Sequence, residues 1–145
     1  MGLADTERNR AAVHEAGHAL VAASRGLDVA VIELHGNDGA GGMRLCKRPS
    51  TLDRVWILYG GPFAEKIVFG KWLPIVTPPE QDELLLAHTL CRQLGISNTI
   101  GIMDRVETYL RGQRIQLEFA ATRLLESNAL HGAELDDLLR QDVLS

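Results

Sequence analysis

The sequence predicts a mainly helical α+β fold with a small antiparallel β unit, and three observations carry that expectation. Ala12, Val13, Ala16, Ala19, Leu20 and Ala23 recur at spacings of three and four, which marks one apolar helix face. Val29 to Leu34 is a short β-branched run, followed by turn chemistry from His35 to Gly42. Aromatic residues make up only 5% of the chain, so the core must be built from Leu, Ile, Val and Ala.

The elements follow in order. A first helix is predicted over residues 5–25, capped by Asp5 or Thr6 and stopped at Gly26. The strand at 29–34 is expected to pair with a return strand over Met43 to Cys46. A second helix spans Thr51 to Phe69, with Ser50 or Thr51 as cap and Gly70 beyond its end. Gly60-Gly61-Pro62 lies inside it, so either this helix kinks there or two helices meet. Pro74, Pro78 and Pro79 mark a loop, and a third helix is expected from Glu80 to Leu94, stopped by Gly95. A long helix over Asp104 to Ser127 carries Gly112 in its interior, and a short one closes the chain from Gly132 to Leu139. No internal repeat or linker is visible, so residues 1–145 read as a single domain.

Composition narrows the function classes. Hydrophobic residues at 46% and charged residues at 23% are those of an ordinary globular chain. A net charge of -4 argues against a nucleic-acid binder, which relies on neutralising phosphates. The best apolar window, Val55 to Phe69, is broken by Glu65 and Lys66, so no membrane span is expected. The N-terminal residues lack the apolar core of a signal peptide, which points to the cytoplasm. Cys46 and Cys91 have no CxxC partner and read as small buried apolar residues in a reducing compartment.

One constellation carries chemistry: His14-Glu15-Ala16-Gly17-His18. On a helix the two histidines lie one turn apart on the same face and can take adjacent corners of a zinc site. Glu15 lies beside them, where a carboxylate can take a proton from a metal-activated water and later pass it to a leaving nitrogen. Gly17 sits mid-helix, where glycine costs about 1 kcal/mol relative to alanine, which suggests close packing of a neighbour. A catalytic zinc needs a third protein ligand. His35, Asp38, Glu65, Glu80, Asp82, Glu83 and His88 are all candidates, and spacing does not choose among them. His35 reads as a turn residue and His88 as a solvated helix residue. Arg8, Arg10 and Arg25 read as scattered surface charges, and His131-Gly132 as a helix junction.

The run Ala12 to Val21 resembles the protease domain of the FtsH-type AAA zinc metalloproteases, and so does Tyr59 to Gly70 with its Gly-Gly segment and final Phe-Gly. The strand and glycine turn between them stand in matching order, and residues 121–139 are similar to that family's closing helices. The resemblance covers roughly residues 8–140. It implies a zincin-like metalloprotease fold with zinc as cofactor, His14, His18 and Asp82 as ligands, and Glu15 as general base. Asp82 matches an aspartate that in the family opens the helix after the Gly-Gly segment. A carboxylate is also electrostatically favoured in a first helical turn. Glu65 is expected to hold a histidine ring by its free N–H, and is the second choice as ligand.

The chain departs from the family where it lacks a GxxxxGK[ST] phosphate loop, so unfolding of substrates would fall to a separate ATP-dependent unfoldase. Two functions follow. One is a zinc-dependent endopeptidase acting on unfolded or extended polypeptide, with an edge strand holding the substrate. The other is a catalytically silent, zinc-bound regulatory or protein-binding module on the same fold. A monomer, a dimer and a larger homo-oligomer are equally compatible with the sequence.

Overall fold

The computed structural model describes residues 2–36, 40–70 and 82–140. It shows the expected class, mostly helix with one small antiparallel sheet. Helix α1 (Glu7–Ser24) is the central element. Helices α2 (Thr51–Phe69) and α5 (Arg114–Ser127) pack on it, and strands β1 (Val29–His35) and β2 (Ala40–Leu45) lie across a further side. Helix α3 (Glu83–Gln93) and helix α4 (Thr99–Gly112) pack on α2. Strand β3 (Ala129–His131) and helix α6 (Gly132–Arg140) complete the described chain.

The caps are chemical. Thr6 accepts the Asn9 N–H at the start of α1, and Ser50 accepts the Asp53 N–H at the start of α2. Helix α2 runs through Pro62 as one helix and ends at Gly70, whose φ of 79° is left-handed. The sheet order is β2-β1-β3, with Leu34 opposite Gly41 and Ile32 opposite Leu130. Strand β2 therefore forms an edge among the described residues. Among the described residues the core is aliphatic apart from Tyr59, Phe63 and Cys91.

Several boundaries differ from expectation. The return strand begins at Ala40, because glycines that read as a turn can extend against β1. The long final helix is two helices: Asn98 caps α4 through the Gly101 N–H, and the chain turns at Gln113 (φ -107°, ψ 18°). That turn lets α4 rest on α2 while α5 returns to α1. His131 ends β3 rather than joining two helices. Cys91 is buried as expected, but Cys46 is exposed. The predicted loop at Pro74, Pro78 and Pro79 lies outside the described residues, as do Asp38 and Glu80.

Helices α1 and α2 cross where both lack side chains. A Cβ at Gly17 would lie 2.4 Å from both the Ala64 Cβ and the Gly60 carbonyl oxygen. One at Gly60 would lie 2.9 Å from the Gly17 oxygen. The packing term outweighs propensity here: alanine would gain about 1 kcal/mol in a free helix, but overpacking costs roughly 1–3 kcal/mol. Gly17→Ala is therefore expected to lower the melting temperature, and an unchanged or higher one would contradict the close crossing.

Candidate metal centre

Helix α1 presents His14 and His18 one turn apart, with ring centroids 4.6 Å from each other and planes at 88°. Helix α2 leaves room for them at Gly61, where a Cβ would fall 2.6 Å from His14 Nε2 and 2.7 Å from His18 Cε1. The Gly60-Gly61 pair thus does two jobs: Gly60 lets the helices meet, and Gly61 clears the space the imidazoles occupy.

Each imidazole is tethered through Nδ1. His18 Nδ1 lies 2.6 Å from the Ile57 carbonyl oxygen, which can only accept, so this nitrogen carries the proton. His14 Nδ1 lies 2.6 Å from Glu65 Oε2, a carboxylate contact with the same consequence. Both Nε2 atoms face the carboxylate of Glu83, the first residue of α3. Glu83 Oε2 is 2.8 Å from His18 Nε2, and Oε1 contacts His14 Nε2. The three donor atoms of His14, His18 and Glu83 lie within 4.8 Å of one another.

Two lone pairs aimed at a carboxylate would repel it, so a cation, either a proton or a metal ion, belongs between them. The surrounding carboxylates favour positive charge at this point. Burial works against a charge on His14, yet Glu65 and Glu83 outweigh it and hold the ring well above its ordinary pKa. Burial would also raise Glu83, but the two histidines hold it far below the usual carboxylate range. Two nitrogens and one oxygen, with tautomers set by outer partners, are a donor set that zinc accepts.

Behind Glu65 stands Arg10, only 4% exposed. Its Nη1 is 3.4 Å from Glu65 Oε1, its Nε and Nη2 hold Asp5 at 2.5 and 3.0 Å, and its guanidinium lies 4.7 Å over the Phe69 ring. The chain Asp5–Arg10–Glu65–His14 fixes the first imidazole from outside. Of the three arginines expected as surface charges, Arg10 is buried, while Arg8 and Arg25 stay half-exposed and engaged. Arg8 donates to the Gly36 and Leu125 carbonyls, and Arg25 pairs with Asp53 at 2.9 Å. Periodicity places their Cα atoms on the helix but does not show how far long side chains reach.

Glu15 is 7% exposed, and its Oε2 is buried without a hydrogen-bond partner. Burial raises its pKa, opposed by His18 and His14. It faces β2, where a Cβ at Gly41 would come within 3.1 Å of its Cγ. A buried carboxylate oxygen without a partner, on the same helix as His14 and His18, is chemically able to accept a proton.

Asp82 is not brought to the histidines. It caps α3, its Oδ1 accepting the Leu84 and Leu85 N–H groups at 3.0 and 3.2 Å. An N-cap side chain folds back on its own helix, whereas the next residue points outward, and Glu83 turns toward α1. The Asp-Glu pair at a helix start was the available signal for that division of labour. His35 ends β1, exposed, with Nε2 3.2 Å from Glu33. His88 is half-buried rather than solvated, with Nδ1 2.9 Å from the Tyr59 hydroxyl.

The donors line an open cleft of roughly 1500 Å³, bounded by α1, β2 and the start of α2. An α+β fold with two histidines and a carboxylate at the floor of such a cleft defines a candidate metal-binding domain. Comparison with known proteins points to a narrower group. The chain is 26% identical, over 94% of its length, to the ATP-dependent zinc metalloprotease FtsH of Ralstonia pickettii (strain 12J). It is 32% identical, over 93% of its length, to the ATP-dependent zinc metalloprotease FtsH 2 of Symbiobacterium thermophilum. These alignments take in 27% and 24% of the two relatives, so the chain spans about a quarter of the length of each. No protein-family model matches the chain. Among the described residues, no helix is long and apolar enough to cross a membrane.

Proposed function

We propose that the chain is a zinc-dependent endopeptidase acting on unfolded or extended polypeptide. The observation that carries this reading is the unpartnered, buried Oε2 of Glu15 beside the donors of His14, His18 and Glu83. A purely structural metal site has no use for a carboxylate held out of water without a partner. The similarity to zinc metalloproteases points the same way.

His14, His18 and Glu83 would hold the ion. When bound, zinc polarises a carbonyl and lowers the pKa of a water. Glu65, backed by Arg10, keeps the His14 lone pair on Nε2. Glu15 accepts the proton released on attack and returns it to the leaving amine. The edge of β2 offers backbone groups to an extended peptide, which favours unfolded over folded substrates. The names of both relatives carry ATP dependence, and a separate ATP-dependent unfoldase is the partner that would supply such chains.

The test is digestion of a reduced and alkylated, unfolded protein. Fragments are expected with the chain as purified, none after chelation, and fragments again when zinc is returned. An intact substrate in all three conditions would favour the silent zinc-bound module.

A further inference from the structure

One wall of the cleft is electropositive. Arg44 on β2, Lys47 and Arg48 just beyond it, and Arg54 in α2 all line the cleft and are exposed. None of the four has a carboxylate partner among the described residues. Among the described residues, the remaining arginine of the cleft, Arg10, is committed to Asp5 and Glu65. This concentration runs against a chain whose net charge is -4. Unpaired like charges on one wall repel one another, and an anionic partner relieves that.

We propose that this rim selects polypeptides carrying acidic side chains about three residues to one side of the cleaved bond. The spacing follows from the strand. Gly41 abuts Glu15, and Arg44 is three residues further along β2, about 10 Å at the rise of an extended chain. A peptide paired with that edge has the same rise, so its third residue from the reacting carbonyl comes level with Arg44. Lys47, Arg48 and Arg54 extend the field beyond that point. A single-stranded nucleic acid is the other polyanion to consider. The cleft disfavours it, since among the described residues no Phe, Tyr or Trp lines the wall for bases to stack on, while β2 supplies a peptide-pairing edge.

The proposal rests on the peptide-binding reading of the cleft, and its test separates the two. Fluorescein-labelled peptides of equal length, carrying either an Asp or a Lys block, are titrated against the Glu15→Gln chain, which permits binding to be read without cleavage. Exposed ion pairs are individually weak, so two or three together give on the order of tenfold tighter binding of the Asp peptide at low salt. High salt is expected to close the gap, and the double variant Arg44→Glu, Arg48→Glu to reverse it. Equal binding of both peptides, or a preference untouched by that variant, would overturn the proposal. So would a single-stranded oligonucleotide that binds more tightly than the Asp peptide. A wild-type chain that cleaves both peptides with equal kcat/KM removes the rim proposal and keeps the peptidase. One that cleaves neither, with the binding preference intact, removes the peptidase and keeps the rim.

Discussion

Glu15→Gln is expected to leave zinc bound and reduce kcat by about three orders of magnitude, within the range assigned to a positioned acid–base group. The side chain lies outside the donor set of His14, His18 and Glu83, so metal occupancy has no reason to change. Glutamine has nearly the same shape but cannot take a proton. The fold should not suffer. Burial raises the Glu15 pKa, which means that the folded state disfavours its charge. A neutral amide avoids that cost, and the melting temperature at neutral pH should be unchanged or higher. Peptide cleavage, zinc content and a melting curve on one preparation check all three statements. Wild-type turnover in the variant would remove Glu15 from the chemistry.

The neighbouring pair Asp82 and Glu83 gives the second large effect, because the two carboxylates do different things. Glu83→Ala removes one of three donors and leaves two imidazoles, so zinc affinity should fall by more than the roughly 100-fold typical of losing an outer partner. Asp82→Ala removes an N-cap that serves two backbone N–H groups. That change costs about 1 kcal/mol of stability and leaves the metal in place. Competition with a zinc-sensitive dye gives the affinities directly. The reverse order, with Asp82→Ala emptied and Glu83→Ala filled, would return the third ligand to the aspartate that the family resemblance implies.

The contrast shows which parts of this protein can be read in one dimension. Helices α1 and α2 were legible because their apolar faces repeat locally and Thr6, Ser50 and Gly70 mark their ends. His14, Glu15 and His18 were legible because one helical turn brings them together within five consecutive residues. Strand β3 escaped notice since three residues carry no period, and its pairing with β1 is a tertiary event. The turn at Gln113 was hidden because Gly112 is tolerated inside a helix, and only the demand that α5 return to α1 breaks the run. The candidate third donor, Glu83, lies 65 residues beyond His18. Choosing between adjacent carboxylates there requires knowing which one the helix start keeps for its own cap. Arg10 was misread for a related reason: its role depends on Glu65, a residue of another helix.

The central claim is that His14, His18 and Glu83 form a zinc site with Glu15 beside it. The most direct test is the zinc content of the wild-type chain, purified without added metal and measured by elemental analysis. The expected result is about one equivalent per chain, as for a three-ligand catalytic site. A chain that is empty as purified, and still empty after zinc is supplied and excess removed, would contradict the claim.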